Sequence, residues 1–237
     1  MKPIQYVRQQ MLRSLVDFLV APVPSGEDVD PEPATDDLAR VLQTGDILLV
    51  RGRTRFARFV CALTGSRWSH VAICVRGEDG DGEAVWAIEA DIEAGVRRID
   101  LDGLGARDLL VIRPAGLTLA ARLDLARYLI GRLGHGYDVD HVLELTWLLV
   151  ARRIGTSRLG SARLGAGRWK LRPADPARAI CSTLVAHALA AAGVALRVDA
   201  PLAASGETLS LDHLVPGDFE RASGMATVFD SRLPPAA

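Results

Sequence analysis

The feature that most constrains this chain is a single change of hydrophobic period along its length. Segments 46–50, 70–75, 85–91, 96–101 and 109–113 are short β-branched and aliphatic runs bounded by Gly, Asp or Pro, which is the pattern of strands. Between the first two, 54–63 has helical spacing at Phe56, Phe59, Val60 and Leu63, and Gly65 is placed as its stop. Beyond Pro114 the apolar positions recur with helical period over 117–133, 139–153 and 181–192, the last ended by Gly193. Strands followed by helices predict an α+β fold, with a small antiparallel sheet or barrel packed against helices.

Its 237 residues suffice for one domain with appendages. We divide the chain into an amphipathic helix at 1–20, an acidic Pro-rich linker at 21–42, a catalytic domain at 43–225 and a tail at 226–237. In the first segment Ile4, Val7, Met11, Leu15 and Leu19 have near-helical spacing, while Arg13 and Asp17 interrupt any signal-peptide core. That helix either docks on its own domain or contacts a membrane surface. Segment 142–151 contains Glu144 and is half the length of a span, so no transmembrane segment is expected.

With 28 basic and 29 acidic residues the formal charge is -1, which argues against a nucleic-acid partner. The basic charge is uneven. Segment 151–178 carries a net +7, either a solvated loop or a lid or patch for an anionic surface. Cys61, Cys74 and Cys181 form no CxxC pair and cannot all be paired, which suits free thiols in a reducing, cytoplasmic setting, with peripheral membrane contact through 1–20 or 151–178 left open. His135, His141 and His213 lack metal-ligand spacing, so neither metal nor other cofactor is expected. Oligomeric state is not legible.

Chemistry enters through a hairpin. If 70–76 and 83–91 pair symmetrically across the Gly-Asp loop 77–82, opposed residue numbers sum to 159 and His70 faces Glu89. One face is then His70, Ala72, Cys74, Val85, Ala87 and Glu89, with Asp91 beyond. The other, Val71, Ile73, Val75, Trp86 and Ile88, is core, and the small residues of the first leave room for an approaching element. A two-residue slip would put Asp91 opposite His70, which makes it the reserve. Cys181 begins a helix in Ile180-Cys181-Ser182-Thr183-Leu184-Val185, where unpaired N–H groups favour a thiolate. Cys74 is the rival nucleophile, but a strand interior offers no oxyanion site. Cys61 and His187 are read as structural. A nucleophilic cysteine needs an imidazole, and the imidazole needs an orienting group. The chain has no asparagine, so a carboxylate or another polar residue must serve, and Glu89 is in place.

Thr44-Gly45-Asp46-Ile47-Leu48, Ser66-Arg67-Trp68-Ser69-His70-Val71, Ala87-Ile88-Glu89-Ala90, Gly134-His135-Gly136-Tyr137-Asp138, Ile180-Cys181-Ser182-Thr183-Leu184-Val185 and Leu214-Val215-Pro216-Gly217-Asp218-Phe219 occur in this order. That series resembles the YiiX/YaeF-like permuted papain-like amidases, relatives of the NlpC-type peptidases, over about 43–222. The resemblance implies a circularly permuted papain-like fold, with Cys181 as nucleophile, His70 as base and then acid, Glu89 as orienter, and Tyr137 near the sulfur, able to bind substrate or oxyanion. Ser182 joins Tyr137 as a candidate substrate or oxyanion residue. Thr183 stands where the family usually has Glu. The expected activity is thiol-dependent hydrolysis of an amide in a small or lipid-like substrate. The alternatives are a lipid acyltransferase or thiol lipase on the same fold, or an inactive binding module.

Overall fold

The computed structural model describes residues 21–22, 35–79, 82–104, 108–138, 178–198 and 211–233. The expected helices at 1–20 and 139–153 and the basic segment up to 177 lie outside the described residues. All five anticipated strands form: β1 (Ile47–Arg51), β2 (His70–Asp79), β3 (Gly82–Asp91), β4 (Gly95–Ile99) and β5 (Asp108–Pro114). They belong to one six-stranded antiparallel sheet in the order β4-β3-β2-β1-β5-β8. Running from the last residue of the expected domain into the expected tail, Met225–Asp230 forms β8 and pairs with β5 as the edge strand. Within the expected linker, Thr35–Val41 forms helix α1.

The hairpin register differs from the symmetric guess. Val75 pairs with Trp86, Gly77 with Ala84 and Asp79 with Gly82, a two-residue shift that takes Gly77 out of the loop and into β2. Trp86 explains why a glycine stands there. A Cβ on Gly77 would lie 2.9 Å from the Trp86 ring, so the bare Cα makes room for the indole diagonally across the ladder. Because the shift is by two, every side chain keeps its face.

Both faces are covered. Ile47, Leu49, Val71, Ile73, Trp86, Ile88 and Ile112 pack against Leu125 and Leu129 of α3 (Leu119–Ile130) and Leu184, Val185, Ala188 and Leu189 of α4 (Cys181–Ala191). On the reverse, Leu48, Val50, Ala72, Cys74, Ala87 and Val111 receive Leu38 of α1, Leu42 and Leu101. The approaching helix of the site thus sits on the large-residue face, and the small residues accommodate leucine side chains instead. Asp46 fastens the reverse layer. Its fully buried carboxylate takes both prongs of Arg113, Nε at 2.6 Å and Nη2 at 2.7 Å, and the Gln43 N–H at 2.8 Å. Arg113 also donates to the Val41 carbonyl at the end of α1 (2.8 Å).

Helix α2 (Arg55–Thr64) begins at Thr54, whose hydroxyl accepts the Ala57 N–H at 3.1 Å, and ends at Gly65 with φ 65°. This returns the chain to buried Trp68, whose indole N–H donates to Glu220 of α5 (Pro216–Glu220) at 2.7 Å, two residues before His70.

Candidate active site

Three segments converge where β2 begins. The first is the start of α4. Ile180 is extended (φ -101°, ψ 161°), and the buried Thr183 hydroxyl accepts the Ile180 N–H and donates to the Ile180 carbonyl, both at 3.1 Å. Threonine therefore performs the capping that the usual glutamate at this position would be expected to perform. The first intrahelical bond is Leu184 N–H to Ile180 O, so the N–H groups of Cys181, Ser182 and Thr183 have no partner one turn back. Cys181 is 8 % exposed, and the Ser182 side chain is buried.

The second segment holds Tyr137. Strand β6 (Gly136–Tyr137) runs parallel to β7 (Arg178–Ala179), with Tyr137 paired to Ala179, two residues before Cys181. The loop before β6 is stitched to β4 by Val96 N–H to His135 O (2.8 Å) and Gly134 N–H to Val96 O (2.9 Å). Only glycine fits opposite it. Gly95 has φ 73°, and a Cβ there would stand 2.2 Å from the His135 carbonyl oxygen.

His70 and Glu89 form the third. The ladder between β2 and β3 ends at Ile73 and Ile88, so His70 is left paired to β1 alone, opposite Val50. Extended, the observed register would put Asp91 opposite His70. Glu89 nevertheless makes the bond, Oε2 to Nε2 at 2.7 Å, because its longer side chain reaches the diagonal position. Asp91 is engaged elsewhere: its Oδ1 accepts the N–H groups of Glu93 and Ala94, at 3.0 and 2.8 Å, in the turn to β4.

The Cys181 thiol lies near enough to the His70 ring to raise the ring's affinity for a proton. With Nε2 committed to Glu89, Nδ1 is the nitrogen left for sulfur. Burial opposes charge on the ring, but the hydrogen bonds and charges of Cys181 and Glu89 outweigh it and lift His70 to about 10. Burial likewise works against the Glu89 carboxylate, and His70 and Arg97 overcome it, holding the group below its ordinary value. The Tyr137 phenol is pushed well above its ordinary value by burial and then by the charges of Cys181, Asp91 and Asp138, so it stays a donor.

Arg97 was not anticipated. Its Nε lies 2.9 Å from Glu89 Oε1, and its Nη2 reaches both that oxygen (2.9 Å) and Asp91 Oδ2 (3.5 Å). A signal was available, since a turn closing on Asp91 and Gly95 sets Glu89 and Arg97 directly across from each other. The rival Cys74 is fully buried in the reverse layer, and burial, then Asp46, push its thiol to about 12. Cys61 donates to the Arg67 carbonyl (3.0 Å), and His187 pairs with Asp212 (2.9 Å). Among the described residues no group of three or more His, Cys, Asp or Glu could hold a metal ion, and no helix is long and apolar enough to cross a membrane. His141 lies outside them.

An antiparallel sheet packed against a helix that begins at a cysteine, with an imidazole bonded to a carboxylate earlier in the chain, is the architecture of the papain-like class in permuted order. Residues 41–146 match the family described as permuted papain-like amidase enzyme, YaeF/YiiX, C92 family, a span that includes His70, Glu89 and Tyr137 and ends before Cys181. Among solved structures the chain is similar to YiiX from Escherichia coli O157:H7, described as a metalloprotein, at 18 % identity and a TM-score of 0.52, covering 79 % of this chain and 97 % of that one. No curated protein matches. The match over 41–146 relates that part of the chain to a family of cysteine-type hydrolases of amide bonds, and the likeness to YiiX shows the shared permuted papain-like fold.

Proposed function

We propose that this chain hydrolyses an amide in a small or lipid-like substrate through Cys181, His70 and Glu89. The observation carrying this reading is the 2.7 Å bond from the His70 ring to the Glu89 carboxylate, with the Cys181 thiol near enough to raise the ring's affinity for a proton. His70 is held in its charged form by Glu89 and Cys181, and the reactive form we propose pairs this ring with a sulfur that has given up its proton. Sulfur attacks the carbonyl carbon, and the oxyanion accepts from the free N–H groups at the start of α4 and from the Tyr137 phenol. The imidazolium gives its proton to the leaving amine, which departs and leaves a thioester.

Acylation also resets the base. Once sulfur is acylated its charge no longer holds the proton on His70, so the ring's affinity for a proton falls toward the range where it can take one from water. The resulting hydroxide attacks the thioester carbonyl, the acid product leaves, and His70 returns the proton balance to the starting ion pair. Glu89 keeps the ring oriented throughout.

The test pairs turnover with labelling. Assays on γ-glutamyl, D-amino acid and fatty-acyl amides identify the substrate class, and Cys181→Ala should cut turnover at least ~10³-fold while leaving the melting curve nearly unchanged. Iodoacetamide labelling of Cys181 should reach half its maximal rate at a lower pH than that of an ordinary thiol, which, with pKa about 8.5, gains roughly tenfold per unit up to that value. Buried Cys74 should stay unlabelled in the native protein. Alkylation of Cys181 that climbs like an ordinary thiol's would refute the reading.

A further inference from the structure

We propose that Arg97 is a positioning residue for the site, acting through Glu89; this rests on the triad proposed above. Glu89 has two carboxylate oxygens and two different partners, His70 on Oε2 and Arg97 on Oε1. The side chain is 7 % exposed, so water cannot replace either partner freely. Arg97 therefore fixes the rotation of the carboxyl group about its last bond, and with it the line along which Oε2 meets the ring. It is steadied in turn by Asp91 at 3.5 Å. In this arrangement Asp91 is the anchor of Arg97, which gives the reserve carboxylate a place in the site without contact to His70.

Arg97 also keeps Glu89 ionised. The carboxyl faces His70 from β2, Arg97 from β4 and, through Arg97, Asp91 of its own strand; beyond the ring lie Cys181 of α4 and Tyr137 of β6, whose phenol feels both Cys181 and Asp91. Arg97 and His70 are the groups that offset burial at Glu89. Remove Arg97, and Glu89 protonates at a higher pH, where the imidazolium loses its counter-charge and the sulfur its paired cation.

The experiment measures iodoacetamide alkylation of Cys181 from pH 4 to 10 by peptide mass spectrometry, in wild type, Arg97→Gln, Arg97→Lys, Glu89→Gln and the Glu89→Gln/Arg97→Gln double variant. Arg97 is exposed on an edge strand, and the single Arg97 variants should melt close to wild type, whereas Glu89→Gln and the double variant give up the charged bond to His70 and melt lower while remaining folded. Arg97→Gln should move the acid limb to higher pH and slow labelling near neutrality about tenfold. Arg97→Lys, which keeps the charge but not the fork, should restore the limb and only part of the rate. In the Glu89→Gln background the Arg97 change should add nothing, which a merely structural role would not produce. An unmoved acid limb in Arg97→Gln, or an equal effect with and without Glu89, overturns the proposal. A wild-type profile like that of an ordinary thiol would instead overturn the triad on which it rests.

Discussion

Replacing Glu89 by Gln keeps the shape of the side chain and deletes its charge. The bond it makes to His70 is 2.7 Å long, between side chains 7 % and 25 % exposed, so it is a charge-assisted bond largely withdrawn from water. Such bonds contribute about 1.5–3 kcal/mol, equivalent to roughly one to two pKa units at 1.36 kcal/mol each. His70, lifted from 6.5 to about 10 by Cys181 and Glu89 together, should therefore fall to about 8 to 9 in the variant. The sign follows from which form the fold prefers. A raised His70 stabilises the native state fully below about 6.5, and that contribution is lost as the pH climbs through about 10. A lowered Glu89 contributes above its ordinary 4.5 and is lost as the pH falls through its depressed native value. The stability advantage of wild type over Glu89→Gln should accordingly be a plateau from about pH 4.5 to about 8 to 9, because up to the variant's own His70 value both proteins lose the histidine contribution equally, and it should decline below that range and from there to about pH 10. Urea denaturation across pH measures the plateau, and NMR of protein labelled with ¹³C at histidine Cε1 follows the ring directly. A wild-type His70 titrating near 6.5, or an advantage independent of pH, would refute the reasoning.

Two further substitutions test the supports of the site. Thr183→Val leaves the buried Ile180 N–H without its acceptor and should cost about 1–3 kcal/mol by chemical denaturation, with slower labelling of Cys181 as the helix start loosens. Gly95→Ala combines a left-handed backbone with a 2.2 Å collision against the His135 carbonyl; a loss of about 2 kcal/mol or more would lower the melting temperature by roughly 4–8 °C and disturb the loop that carries Tyr137.

The faces of the central hairpin were legible in the sequence because alternation survives any even shift, whereas register was not, because it depends on where the turn closes. The Gly-Asp content of 77–82 reads equally well as a long loop or as two strands ending in a tight turn, and only the fit of Trp86 over Gly77 separates them. His70 and Glu89 consequently meet as expected but diagonally rather than face to face. Arg97 is not legible from the β2–β3 hairpin alone, because it comes opposite Glu89 only through the pairing of β3 with β4. The layer covering Ala72 and Cys74 was invisible for a different reason: Leu38 and Leu42 follow a Pro-rich acidic stretch, and an apolar pair in such company reads as linker until a surface shaped for it is known. Strand β8, half-exposed at the sheet edge, lacks the continuous apolar run that marked β1 and β5.

The permuted order of the three side chains has a consequence for how the protein is made. A ribosome emits imidazole and acid long before it reaches the sulfur, and the sheet closes on β8 later still. Under the proposed mechanism a nascent or prematurely ended chain would carry a proton shuttle with nothing to activate, and hydrolytic capacity would arise only when synthesis had passed α4.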